Sequence, residues 1–364
     1  MDPRTANGVC MNAPRTIRLI VLLLGLAGAG VFAVFVLRQG IPEVAAATAA
    51  AGWGVAMVAV FHTIPLLCDV LAWRAVIPQP YRQSLPRLFL FRWIGDSVSA
   101  MLPVAQIGGE IVRVRLAAAH GMPASLAGAT VLVGVTVSIA TQIVFTLSGL
   151  GLLVLVTGHA GYVVPVVAGV VISVIVLGLF YAMQRCGIVR VAGTVVSYMT
   201  ASDRWRSVLL RGEVLDRDIH SLYIHHASLI ACGCWTMATW ATGAVEIWIS
   251  LRALGVPAGY SQAYIMESVV QGIRSVMFLV PAALGVQESG FLGVGLLLGI
   301  PSEALLAVAV IRRVRELAFG LPGIVAWQVV EGHGLWRGRK RADDSGAGPG
   351  HRCQEPPGAG QGGV

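Results

Sequence analysis

Charge is scarce in this sequence: 12% of its 364 residues are Asp, Glu, Lys or Arg, about half the ~25% of an ordinary soluble protein. What basic charge there is comes almost entirely from arginine, and it is not gathered into the basic, aromatic-interleaved surface that nucleic-acid binding needs. The six cysteines, Cys10, Cys68, Cys186, Cys232, Cys234 and Cys353, contain no C-x-x-C pair. Neither a disulfide framework nor a zinc site follows from them, and they read as small apolar residues. No P-loop, no nucleophile paired with a base and no metal motif occurs, and His225-His226 point to different faces of a helix. No cofactor, no metal and no catalytic reaction are therefore expected.

What is plentiful is apolar. Hydrophobic residues make up 56% of the chain and the mean hydropathy is +0.77, which predicts a polytopic, all-α membrane protein. Six apolar stretches long enough to cross a membrane lie near 19–37, 51–72, 126–156, 161–182, 223–250 and 304–330. The first of them, preceded by Arg15 and Arg18, suits an uncleaved span better than a signal peptide, because the apolar run continues past the small residues near Ala29. Two more apolar regions, 88–119 and 263–300, are interrupted by proline, glycine and charge, and read as re-entrant helical hairpins. Residues 1–14 and the basic, then Gly/Pro-rich tail 336–364 are expected to be disordered, leaving a membrane domain over 15–335.

The two interrupted regions are related. Shifted by 178 positions, Pro103 falls on Pro281, Glu110 on Glu288, Gly121 on Gly299 and Pro123 on Pro301, without a gap. This predicts an internal repeat, one copy over about 51–157 and the other over about 223–332. Arginine placement orients the chain. With both termini cytoplasmic, Arg4, Arg15, Arg18, the 73–92 stretch, the 183–222 loop and the Arg337–Arg341 tail all lie inside, and the outer segments carry almost no basic residue. Three spans then separate the hairpins, so the second enters from the opposite face and the repeats are inverted.

Each hairpin tip puts a proline shortly before glycine, Pro103 before Gly108 and Gly109, Pro281 before Gly285. The arm after the tip would begin near the membrane midplane with free N–H groups, which favours an anion. Gln106 lies in the first tip. Arg113, Arg274, Arg312 and Arg313 add guanidinium donors suited to a phosphate, and Asp96, Glu110, Glu267, Glu288 and Glu316 can neutralise them when no anion is bound. Snorkelling at the cytoplasmic interface is the alternative for Arg92, Arg113, Arg115 and His120. It does not serve Arg312 and Arg313, about nine residues into their span, where a lone arginine costs roughly 2.5–3.5 kcal/mol or more. Glu288 is expected to pair with one of these two.

At Leu102–Arg113 ("LP…GGE…R"), Val280–Ser289 ("VPAALGVQES") and Gly299–Arg313 ("GIPSEALLAVAVIRR") the chain resembles the membrane domain of the lysylphosphatidylglycerol synthase superfamily. The longer stretch Gly95–Arg113 resembles its hopanoid-associated, HpnL-like branch. The resemblance covers roughly 15–335 and implies a lipid flippase of the bacterial inner membrane, moving a phospholipid or a hopanoid-type lipid. The sequence ends at Val364 without the transferase domain of the synthases, so headgroup synthesis is not expected. Two other readings stand beside transport: a membrane scaffold for lipid-biosynthesis enzymes, and an integral-membrane lipid-modifying enzyme. Membrane lipids are the expected partners and nucleic acid is not. Oligomeric state is left open.

Overall fold

In the computed structural model, every regular element among the described residues is helical. The description covers residues 52–101, 107–158, isolated positions between 171 and 182, 203–276 and 286–344. The side chains of 107, 203–211, 276, 286–288 and 331–344 lie outside it. Outside it too are the expected span 19–37, most of 161–182, the N-terminal 1–14, and the hairpin-tip residues Pro103, Gln106, Pro281 and Gly285.

Helices α1 (Trp53–Phe61) and α2 (Thr63–Val76) make one apolar span interrupted at His62. Pro65 supplies no N–H to the carbonyl of Phe61, which weakens the ladder at that joint, and Thr63 turns its hydroxyl back onto the Val60 carbonyl at 2.8 Å. The chain continues through α3 (Leu85–Met101), α4 (Ile107–Ala119) and α5 (Ala124–Thr157). Then come α6 (Asp203–Ile224), α7 (His226–Ala253), α8 (Tyr260–Val276), α9 (Val286–Leu297) and α10 (Ser302–Asp344). Trp53–Val76 and Ala124–Thr157 are each long and apolar enough to cross a membrane. The stretch expected as a single span over 126–156 is one unbroken helix, Gly149 and Gly151 included.

Two expectations need revision. Part of the stretch taken as a 183–222 loop is helix α6, because Leu215, Ile219 and Leu222 recur at helical spacing and pack on the core beside α5. Helix α10 continues through Asp344, past the Arg337 boundary that composition suggested for the tail.

Helix ends in the two regions fall in the same 178-residue register. The 178-residue shift carries the last residue of α4, Ala119, onto the last of α9, Leu297, and the first of α5, Ala124, onto the first of α10, Ser302. Between them both copies close the preceding helix with the same turn. Gly121 (φ 97°) and Gly299 (φ 74°) take the left-handed backbone that favours glycine. Met122 N–H donates to the Ala117 carbonyl at 3.3 Å and Ile300 N–H to the Gly295 carbonyl at 3.0 Å, the six-residue closure of a Schellman turn.

Packing follows the same exchange. The pair α3 and α4 lie antiparallel, as do α8 and α9; α3 packs on α10 just as α8 packs on α5, and α2 meets α7 between the copies. Each contact between the copies therefore has its counterpart with the roles of the copies reversed, as in a two-fold pair. The apolar interior divides accordingly. One core gathers Trp73, Leu88, Phe91 and Ile94 from the first copy. The other gathers Ile265, Met266, Phe291 and Leu305 from the second. Each is completed by the last helix of the other copy: Trp327 of α10 enters the first core and Leu153 of α5 the second.

Small residues let the helices approach. A Cβ on Gly95 would stand 2.8 Å from Cγ of Arg113 and 3.0 Å from the Gly109 carbonyl, and one on Gly109 would run into the Gly95 backbone and Ser99. The α3–α4 hairpin thus closes at backbone contact, as small residues allow between membrane helices. Gly109→Ala is expected to force the arms apart and cost at least the about 1–3 kcal/mol of an overpacked core, read as a lower yield of monodisperse protein in detergent; wild-type yield and thermal stability would show that the arms do not touch here. Gly149 against Ser268, Gly272 against Thr146 and Gly323 against Ser97 make similar approaches between α5 and α8 and between α10 and α3.

Candidate functional site

The buried charges of the helices are gathered into two clusters. In the first, Arg92 of α3 reaches three carboxylates on three helices. Its Nη2 pairs with Asp69 of α2 and, at 3.0 Å, with Asp96 one turn on; its Nη1 pairs with Glu110 of α4 at 3.2 Å. Glu110 also accepts from Arg113 at 2.7 Å, in the first turn of α4 where the helix dipole favours a carboxylate. Arg113 is buried, its guanidinium 4.4 Å above the Trp73 ring, a cation–π contact that supplies what one carboxylate does not. Gly108 and Gly109 lie just ahead of Glu110, and Gly109 sets the close approach of α4 to α3 described above.

The second cluster joins α1, α7, α8 and α10. Arg312 grips the buried Glu267 with both terminal nitrogens, Nη2 at 3.0 Å, and lies 5.7 Å over the Phe291 ring. One turn on, Arg315 pairs with the buried Glu246, whose other oxygen lies 2.8 Å from Nδ1 of His62. Arg313 pairs with Glu316 at 2.8 Å, and Arg315 reaches the same Glu316 at 3.9 Å. Arg274 stands in the field of Arg312, Glu316 and Glu267. Its described contact is a long one, 3.5 Å to the side-chain oxygen of Gln271, and its buried Nε has no partner.

The balance of charge differs between the two. Among the described residues, Asp69, Asp96 and Glu110 outnumber Arg92 and Arg113 in the first cluster, and Arg274, Arg312, Arg313 and Arg315 outnumber Glu246, Glu267 and Glu316 in the second. Apart from Glu110, which falls on Glu288, the 178-residue shift does not carry these side chains across: it takes Asp96 to Arg274, Arg113 to Phe291 and Glu246 to Cys68.

The two clusters meet at Phe319. Its ring lies edge-on to His62 at 4.9 Å, and its carbonyl accepts from Trp93 of α3 at 3.0 Å and from Ser97 at 3.4 Å. Pro322 explains the geometry, because it cannot donate to Ala318 and loosens the α10 ladder at this turn. On the other side of α10, an apolar crevice of about 440 Å³ runs along α1 between Trp53 and Ala59 and reaches Arg315 and Ala318.

Of the residues picked from sequence, Asp96, Glu110 and Arg113 come together in the first cluster and Arg274, Arg312 and Arg313 in the second. Pro103, Gln106, Pro281, Gly285 and the Glu288 side chain lie outside the described residues. The carboxylate described on Arg312 is Glu267 of α8; the expected pairing of Glu288 with Arg312 or Arg313 lies outside the described residues. Asp69, His62 and Glu246 were missed. Their signal was present, a titratable residue inside an apolar span, which membrane burial makes expensive unless it is paired.

A family model matches residues 19–323, most of the sequence. That model is the lysylphosphatidylglycerol synthase TM region. Among curated proteins and among solved structures nothing matches significantly. The extent of the match, with the apolar helices beneath it, makes this a membrane protein related to lipid handling and a member of the lysylphosphatidylglycerol synthase transmembrane-region family.

Proposed function

We propose that this protein moves an anionic lipid between leaflets of the bacterial inner membrane, with both termini cytoplasmic, and performs no chemistry on it. The observation that carries this reading is the arginine excess of the second cluster, with Arg274 held among buried charges and without a carboxylate within 4.0 Å among the described residues. A half-buried guanidinium left in that state favours an incoming anion, and a phosphate accepts from it bidentately. The crevice between α1 and α10 offers apolar wall next to Arg315, so an acyl chain can lie along α1 while its headgroup reaches the arginines.

The exchange of contacts between the two copies supports inverted repeats related by an axis in the membrane plane, the arrangement in which one half rocks against the other around a fixed site. The glycine contacts of α5 with α8 and of α10 with α3 are the surfaces on which such rocking would turn. The hopanoid-associated branch is the finer reading of the family. The arginine excess fits it where the cargo is a phospholipid or a hopanoid bearing an anionic group, and not a neutral polyol.

The test is transport in vesicles with labelled lipids of different headgroups. Wild-type protein is expected to move phosphatidylglycerol faster than a neutral hopanoid polyol. Arg274→Gln should lower transport of the anionic lipid about tenfold or more, the value of one charge-assisted contact of about 1.5–3 kcal/mol. Equal transport of both lipids, unchanged by Arg274→Gln, would remove the anion site. Absence of any transport by protein that still binds lipid would favour the scaffold.

A further inference from the structure

The lipid site as read above takes an anion but has no source of energy to move it. A candidate lies in the same cluster, at the break between α1 and α2. His62 sits at that joint, with a quarter of its side chain exposed and Nδ1 2.8 Å from Glu246. A carboxylate only accepts, so Nδ1 carries the hydrogen and Nε2 is the basic nitrogen. α1 brings no titratable residue to it, and α2 brings none before Cys68 and Asp69, more than a turn away. From α7 it faces Glu246; from α10 it faces Arg315, more distantly Arg312, and the ring of Phe319. Imidazole is the side chain whose ordinary titration, near pH ~6.5, falls within the physiological range.

We propose that His62 is a proton-binding site that couples proton uptake to binding of the anionic headgroup. The inference rests on the anion site proposed for Arg274 and its neighbours. When Nε2 takes a proton, two cations, His62 and Arg315, share Glu246. Arg315 already lies 3.9 Å from Glu316, the partner of Arg313. As Arg315 is shared toward Glu316, the arginine excess grows on the side where Arg313 and Arg274 stand. Protonation therefore strengthens the anion site, and by reciprocity a bound anion strengthens the hold on the proton. Proton and lipid charge then travel together, and a proton gradient drives the lipid. The joint is also placed to convert the event into movement: His62 interrupts the α1–α2 span and touches Phe319, whose carbonyl holds Trp93 and Ser97 of the first hairpin.

The experiment is calorimetric titration of the purified full-length protein in detergent with dihexanoylphosphatidylglycerol, and with dihexanoylphosphatidylcholine for comparison, in buffers of differing ionisation enthalpy. The number of protons taken up per lipid follows from the difference. The anionic lipid is expected to bind with proton uptake, and its affinity to rise by up to about tenfold per pH unit as the pH falls. His62→Asn keeps a donor toward Glu246 and has no basic nitrogen; it should bind the lipid with no uptake and a flat pH dependence. Wild-type binding of the anionic lipid without proton uptake overturns the coupling and leaves the anion site standing. Uptake that persists in His62→Asn overturns the assignment to His62. Equal binding of both lipids removes the anion site and the coupling together. The wild-type proton count is decisive by itself if the variant does not fold.

Discussion

Glu267→Ala is expected to abolish most of the folded protein, and Glu267→Ala combined with Arg312→Leu to restore a substantial part of it. Both side chains are largely withdrawn from solvent and meet through two hydrogen bonds. Removing the carboxylate leaves a guanidinium ten residues into α10 without the acid that it grips. Breaking a buried pair in this way costs about 3–5 kcal/mol, while replacing both partners by apolar groups is often close to neutral. The measurement is the monodisperse yield and thermal stability of the two single variants and the double in detergent. Losses that add in the double variant would show that the two residues do not depend on each other.

The second large effect is expected at Arg92. Arg92→Leu leaves Asp69, Asp96 and Glu110 converging from three helices with Arg113 as the remaining cation. The loss should reach or exceed that of one broken buried pair, about 3–5 kcal/mol. Arg92→Lys should recover only part of it, because a lysine offers one point charge where the guanidinium presents separate nitrogens to α2 and α4. Adding Asp69→Asn to Arg92→Leu should lessen the damage by removing one of the stranded charges. Wild-type stability in Arg92→Leu would mean that the three carboxylates are held apart by something other than this arginine.

The sequence carried the repeat because turns are recorded in residue type: Gly121 and Gly299 stand where the backbone needs positive φ, and Pro123 and Pro301 where a helix is about to begin. It carried the cost of Arg312 and Arg313 for a similar reason, since depth in an apolar run is countable. Partners were less legible. Nothing in the sequence joined Glu267 to Arg312, which lies 45 residues on, and the 178-shifted equivalent of Glu267 is Phe89. Pairing depends on how helices cross, and the repeat constrains the backbones while leaving the side chains on them free to diverge. His62, Asp69 and Glu246 escaped notice because they sit singly in spans that otherwise look uniform. Helix α6 escaped because its arginines masked a stripe of Leu215, Ile219 and Leu222.

The reciprocal lodging of α5 and α10 bears on how the chain is made. Trp327 closes the core built by the first copy, yet it is synthesised some two hundred residues after Phe91, the ring it joins there. The first half therefore leaves the ribosome with an open flank that α10 helps to seal, and that flank stays open until α10 has been made. Two halves produced as separate polypeptides would face no such delay. They would assemble as a pair in which each lends its final helix to the other.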